Sequence, residues 1–289
     1  MKEIVKEKIA SLLSGDEEIQ SVEQLGGMTN QNYLVKTSSN QYIVKFFGKG
    51  TDKLIDRQNE KFNLELLKDL KLDVENYLFD IEAGIKVNQY IENAETLDSA
   101  TIKTKFEKIA PILQTIHSSG KELKGEFAPF EEIKKYESLI QGEISYPNYE
   151  AVRKSVLSLK NELEKIGIEK KSCHIDLVPE NFIEGPDGHL YLIDWEYSSM
   201  NDPMWDLAAL FLESEFTPEE ETDFLAYYEG DKTPVSREKI RIYKILQDII
   251  WGLWTIYKEE NGADFGDYGI TRYNRAVKEL QSQGGIDED

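Results

Sequence analysis

The stretch His174-Ile175-Asp176-Leu177-Val178-Pro179-Glu180-Asn181 sets a carboxylate and a carboxamide five residues apart, with a histidine two residues before the carboxylate. The spacing fits H-x-D-x-x-x-x-N, in which an aspartate near a substrate hydroxyl and an asparagine on a metal ion share one rigid loop for phosphoryl transfer. Phe182-Ile183-Glu184, the turn Gly185-Pro186-Asp187-Gly188 and Leu190-Tyr191-Leu192-Ile193 follow, which reads as a β-hairpin ending at Asp194. Such a hairpin returns Asp194 to the neighbourhood of Asn181. An amide oxygen and a carboxylate are hard ligands of the kind Mg²⁺ accepts, its other positions going to water and substrate phosphates. Each residue alone is an ordinary turn or cap residue; in this order, with a β-rich segment upstream, Asp176, Asn181 and Asp194 predict an ATP-dependent kinase. His174 reads as an organiser of the loop, and His117 and His189 belong to no motif.

A kinase must also hold the triphosphate. Ile19 to Leu25, Tyr33 to Val35 and Tyr42 to Phe47 scan as consecutive antiparallel strands. Between the first two, Gly26-Gly27-Met28-Thr29-Asn30-Gln31-Asn32 offers two residues without Cβ and several side-chain donors, so Gly27, Thr29, Asn30 and Asn32 are candidate phosphate-loop residues. An ordinary hairpin turn would look the same without the downstream motif. Lys45 lies on the third strand, where protein kinases place the lysine that contacts the α and β phosphates. Residues 52–70 carry helical apolar spacing, which makes Glu60 the expected ion-pair partner of Lys45. Two short strands, Tyr77 to Ile81 and Ile85 to Tyr90, complete this half. From about residue 98 amphipathic helical stretches dominate, near 99–118, 130–142, 149–167, 217–229, 235–259 and 266–282. In one of them Trp251 and Trp254 are three apart, so both indoles share a face. Two such tryptophans are ordinarily core; they are also what a quaternary ammonium requires, since its nitrogen donates no hydrogen bond and is held by aromatic faces and carboxylates.

Asp194-Trp195-Glu196-Tyr197-Ser198-Ser199, followed by Asn201 and Asp206, is similar to the signature that the choline/ethanolamine kinase branch of the aminoglycoside phosphotransferase and protein-kinase-like superfamily carries in place of Asp-Phe-Gly. The resemblance extends over most of the chain and is weakest between residues 120 and 170. It implies an α/β (α+β) protein-kinase-like fold of two lobes: residues 1–91 a β-rich nucleotide lobe with one helix, and 92–289 a mainly helical lobe with the catalytic loop and acceptor pocket. It implies Asp176 as catalytic base, Asn181 and Asp194 as Mg²⁺ ligands, and backbone groups of Gln89 and Ile91 as the hinge that reads adenine. Trp251, Trp254, Tyr197 and Glu213 would line the choline pocket, with Glu196 and Trp205 as weaker candidates. ATP and Mg²⁺ are the cofactors so implied, and choline the acceptor, as in the bacterial choline kinases that feed phosphocholine decoration of cell-surface polymers. Ethanolamine, an aminoglycoside or another amino alcohol are rival acceptors, and a non-catalytic choline-binding pseudokinase is the rival of another class.

Composition sets outer bounds. The 289 residues carry 34 basic and 55 acidic side chains, a formal net charge of −21, which repels nucleic acid and anionic membrane surfaces. The first residues interleave charges with apolar side chains, unlike a secretory signal, so a cytoplasmic location is expected. One cysteine, Cys173, leaves no intramolecular disulfide and no cysteine-cluster metal site.

Overall fold

The computed structural model describes residues 2–9, 11–13, 16–26, 30–48, 50–229 and 235–282. In chain order they form α1 (Lys2–Ile9), β1 (Ile19–Gln24), β2 (Gln31–Thr37), β3 (Gln41–Phe46), α2 (Arg57–Leu67), β4 (Asn76–Asp80), β5 (Ile85–Gln89), β6 (Glu95–Thr96), α3 (Phe106–Ser118), α4 (Pro129–Leu139), α5 (Tyr149–Ile166), β7 (Lys171–Cys173), β8 (Phe182–Glu184), β9 (Leu190–Leu192), β10 (Ser199–Asn201), α6 (Pro203–Glu213), α7 (Pro218–Tyr228), α8 (Arg237–Glu260) and α9 (Tyr268–Ser282). Contacts divide the chain into two units, Met1–Thr101 with Pro179–Tyr197, and Ile102–Val178 with Ser198–Asp289. The hairpin β8–β9 thus groups with the amino-terminal sheet, a division by contacts that cuts the chain differently from the division by role at residues 91 and 92.

In the first unit an antiparallel sheet of five strands runs β1-β2-β3-β5-β4. Strand side chains alternate between faces, and here the alternation separates core from chemistry. Tyr33, Val35, Tyr42, Val44, Ile85 and Val87 form one buried face, covered by Val5 and Ile9 of α1. The intervening positions Lys45 and Lys86 point to the other face, directly opposite each other across β3 and β5. Helix α1 is absent from the sequence reading because eight residues of mixed charge give too short a period to register. Helix α2 starts at Arg57 rather than near 52, since the Asp56 carboxylate accepts from the N–H groups of Gln58 at 2.9 Å and Asn59 at 3.0 Å and so caps it there.

The second unit is helical around α8, which is buried along most of its 24 residues and packs against α4, α5, α6 and α9. Helix α3 begins at Phe106, not 99: Asp98 accepts from the N–H groups of Ala100 at 3.0 Å and Thr101 at 2.7 Å, closing a turn where a helix was expected. A two-stranded ribbon, β7 with β10, leads into and out of residues 174–198, which hold the candidate catalytic residues.

Candidate active site

The first unit gathers its polar candidates on the sheet face opposite the apolar core. Phe182 to Glu184 pairs with Leu190 to Leu192, and the Ile193 N–H donates to the Asn181 carbonyl at 2.8 Å. The expected return of Asp194 to Asn181 is therefore made by backbone pairing. Asp194 sits at φ 69°, a left-handed conformation that a non-glycine residue holds only when its neighbours fix it, at a cost of about 1–3 kcal/mol. The indole N–H of Trp195 donates to the Leu192 carbonyl at 2.8 Å and supplies part of that restraint.

The Lys45 ammonium lies 2.5 Å from Asp194 Oδ1, with the lysine buried and the carboxylate about a quarter exposed. The predicted Lys45–Glu60 pair does not form. Glu60 instead holds Lys86 at 2.5 Å and Arg57 at 2.6 Å. The cause is register: β5 places Lys86 beside Lys45, and two ammonium groups on one buried face need separate carboxylates. The Lys86 pKa is raised, the attraction of Glu60 and Asp194 outweighing the burial that opposes it, while Glu60 stays below the usual carboxylate range because its two cations outweigh its burial. Asp73, which receives the N–H of Val74 at 2.7 Å, is pushed up to about 7, first by burial, with Asp194 adding to the rise and Lys86 opposing it.

The loop candidates divide. Gly27 and Thr29 lie outside the described residues. Asn32 donates from Nδ2 to the Gly26 carbonyl at 2.9 Å and so closes the base of the loop. Asn30 is buried, with Nδ2 donating to Glu196 Oε2 at 2.7 Å and Oδ1 accepting from Arg57 Nη2 at 3.0 Å. Its amide is taken up by protein and is not available to a phosphate. The Gln89 N–H donates to the Glu75 carbonyl at 2.8 Å, and the Ile91 carbonyl accepts from Ala94 at 3.3 Å. Glu196, a weaker candidate for the acceptor pocket, is in fact a buried acceptor of Asn30 and Arg57. Burial and neighbouring Asp194 push its carboxyl up, against Lys45 and Arg57. Tyr197 belongs to the same unit, on the turn Trp195–Tyr197.

In the second unit Asp176 follows Ile175, whose φ of 78° is strained for a β-branched side chain. Three contacts hold it. The Asp206 carboxylate accepts from the N–H groups of His174 and Ile175, both at 2.8 Å, and the Trp205 indole donates to the Ile175 carbonyl at 3.0 Å. His117 Nε2 reaches the same Asp206 at 3.1 Å, and its Nδ1 meets the Tyr228 hydroxyl at 2.7 Å. Trp205, fully buried, is thus a brace for the segment before Asp176 rather than a pocket wall, and His117 gains a role that no motif signalled. His117, Cys173 and Asp206 cluster closely enough for a metal. Burial pushes the Cys173 thiol well up, however, and Asp206 is already engaged by two backbone N–H groups and an imidazole, so the donors do not suit an ion.

Trp251 and Trp254 meet edge-to-face at 6.4 Å and face different surroundings. Trp251 packs on Phe127, itself against Trp205. Trp254 continues into Phe265 at 5.0 Å, and Phe265 into Tyr268 at 6.5 Å; its indole N–H is buried without a hydrogen-bond partner among the described residues. The Tyr268 phenol is pushed up to about 12, mainly by burial, with Glu213 and Asp176 adding to it, so the Asp176 carboxylate is within electrostatic reach of the Tyr268 end of this aromatic run. Close approach of α9 to α8 depends on Gly269, where a Cβ would lie 2.9 Å from the Cβ of Thr255 on α8. Glu213 is ion-paired with Arg272, which also reaches Asp248 at 3.1 Å and stands 4.7 Å from the centre of the Tyr268 ring. Phe265, Tyr268 and Arg272 escaped the sequence reading; the signal was the aromatic pair in Phe265-Gly266-Asp267-Tyr268-Gly269 just beyond the tryptophan helix.

The sequence pattern of the choline/ethanolamine kinase family matches residues 22–239, and this chain belongs to that family. Protein LicA of Haemophilus influenzae is 31% identical over 269 residues, covering 89% of this chain and 79% of its own. The crystal structure of choline kinase LicA from Streptococcus pneumoniae is 75% identical, with a TM-score of 0.95 over 98% of this chain and 99% of that one. LicA in complex with AMP is 76% identical, with a TM-score of 0.92 over 97% and 98% of the two chains. The fold is accordingly protein-kinase-like, a mixed α/β arrangement with an antiparallel amino-terminal sheet and a helical carboxy-terminal part, and the chain is an ATP-dependent kinase. Among the described residues no helix is long and apolar enough to cross a membrane.

Proposed function

We propose that this kinase transfers the γ-phosphate of ATP to the hydroxyl of choline, giving phosphocholine and ADP. The observation that carries the reading is the run Trp254, Phe265, Tyr268 in the surroundings of Asp176, since a trimethylammonium group rewards aromatic faces. Each desolvated cation–π contact contributes roughly 1–2 kcal/mol, so two or three give about 2–6 kcal/mol, a dissociation constant on the order of millimolar and at best tens of micromolar. The 75% identity to a protein named as a choline kinase agrees. Glu213 acts through Arg272 and not as an open carboxylate, which leaves the aromatic faces and Asp176 to meet the cation.

Asp176 orients the acceptor hydroxyl and takes its proton as it attacks the γ-phosphate in line. Lys45 leaves Asp194 and turns to the α and β phosphates. Residues 1–91 hold the nucleotide and 92–289 the acceptor; the Gln89 carbonyl and the Ile91 N–H are the groups of the hinge that face adenine. Asn181 and Asp194 would hold Mg²⁺: both offer hard oxygen donors, and the Lys45 ammonium 2.5 Å from Asp194 marks that carboxylate as a place for positive charge. When bound, the ion neutralises charge on the transferring phosphates. Restraint of the strained segment before Asp176 by Asp206 and Trp205 fixes the base before substrate arrives, the kind of preorganisation on which such transfers depend. A cytoplasmic location, and supply of phosphocholine for decoration of bacterial cell-surface polymers, complete the proposed reading.

Initial rates of ADP release with choline and with ethanolamine, at matched concentrations and with Mg²⁺ present, test the acceptor. The expected result is a clear preference for choline. A preference for ethanolamine would reassign the acceptor, and tight choline binding with no ATP consumption would favour a pseudokinase.

A further inference from the structure

Arg57 is a buried charge that the phosphoryl-transfer mechanism does not use. Its Nη1 donates to Glu60 at 2.6 Å and to Glu196 Oε2 at 3.0 Å, and its Nη2 donates to Asn30 Oδ1 at 3.0 Å. The Asn30 amide closes the ring by donating to that same Glu196 oxygen at 2.7 Å. The guanidinium carbon stands 4.1 Å from the centre of the Phe47 ring. Asn30, Arg57 and Glu196 are all less than a tenth exposed. They come from three separate segments: the end of the candidate phosphate loop, the first turn of α2, and the turn two residues beyond Asp194.

We infer that Arg57 is a positioning residue, latching the phosphate loop to the segment that carries Asp194, so that affinity for the metal–nucleotide depends on this three-membered ring. The inference rests on the nucleotide half of the proposed function and is independent of the acceptor. Geometry favours a positioning role over plain packing. A buried ionic cluster contributes little to stability relative to apolar residues of equal size, yet it fixes the relative placement of the groups it joins. Only a planar fork reaches two acceptors on different segments while stacking on a ring, which a lysine cannot do. Lys86 completes the arrangement from the sheet by holding the other oxygen of Glu60 at 2.5 Å.

The test compares wild type with Arg57→Met, Arg57→Lys and Glu196→Gln. Thermal denaturation, kcat, KM for ATP and for choline, and calorimetric titration of Mg²⁺–ADP without acceptor are measured for each. Losing a charge-assisted, two-acceptor anchor is expected to weaken nucleotide binding about tenfold in Arg57→Met, with KM for choline unchanged. Arg57→Lys should stay within a few-fold of Arg57→Met, and Glu196→Gln, which keeps an acceptor oxygen, should fall between them and wild type. Should Arg57→Met fail to fold, Arg57→Lys carries the same comparison. The inference is overturned if nucleotide affinity equals wild type, or if ATP and choline KM rise together in step with a lower melting temperature. It is equally overturned if Glu196→Gln shifts the half-saturating Mg²⁺ concentration more than either arginine variant, which would make Glu196 a metal ligand. If wild type phosphorylates another alcohol, the calorimetric comparison still decides the latch.

Discussion

The two units bury opposite kinds of side chain around their candidate residues. In the first, Lys45, Lys86 and Arg57 are cross-paired with Asp194, Glu60 and Glu196; in the second, Trp254, Phe265 and Tyr268 form a run of rings with their guanidinium and carboxylates tied to one another. A polyphosphate with a metal needs fixed charges that can exchange partners. A methylated cation needs polarisable faces and no strong hydrogen-bond donor. The contrast supports the proposed reading, in which the nucleotide and the acceptor are met by different chemistry.

The sharpest way to break this assignment is Asp176→Ala. Loss of the group that orients the hydroxyl should lower kcat about 10²–10⁴-fold while Mg²⁺–ATP affinity, measured by calorimetry, stays close to wild type; turnover near normal would remove Asp176 from the chemistry. Next in size is Asp206→Ala, which strands two backbone N–H groups and His117. It is expected to cost about 3–5 kcal/mol in denaturant unfolding and to lower kcat in whatever remains folded. Unchanged stability would show that the strained segment is held by other means.

Trp254→Ala separates the units more gently. Removing one aromatic face should raise KM for choline about tenfold and leave KM for ATP unmoved, whereas Trp251→Ala, on the Phe127 side, should act mainly on stability. Equal effects of both on choline would mean that the cage includes the core-facing ring as well. The smallest effect concerns Asp73. Its folded pKa of about 7 stands above the ordinary value of 3.8, so the folded protein retains a proton that the unfolded chain releases between about pH 4 and 7. Its contribution to stability is therefore complete below about pH 4 and lost as pH rises through 7. Asp73→Asn should flatten the fall in melting temperature between pH 5 and 8, and parallel curves for the two proteins would show that Asp73 ionises normally.

Much of this was legible in the sequence because it is local. Asn181 and Asp194 are joined by a hairpin whose turn residues fix its length, and β1, β2 and β3 are short runs of strand-forming residues punctuated by turn residues. What the sequence concealed depends on register and packing between distant segments. Glu60 was matched to Lys45 because nothing in the chain tells that β5 would set Lys86 opposite it, 41 residues on. Asn30 looked like a ligand donor because its partners, Arg57 and Glu196, lie 27 and 166 residues away. Glu213 looked like an open carboxylate for the same reason, its Arg272 being 59 residues distant.

The most direct test follows the phosphorus itself. Phosphorus NMR of the protein with ATP, Mg²⁺ and choline should show a phosphomonoester resonance growing in step with ADP, at a rate that Asp176→Ala abolishes. Appearance of inorganic phosphate alone, with no ester of choline, would contradict the account.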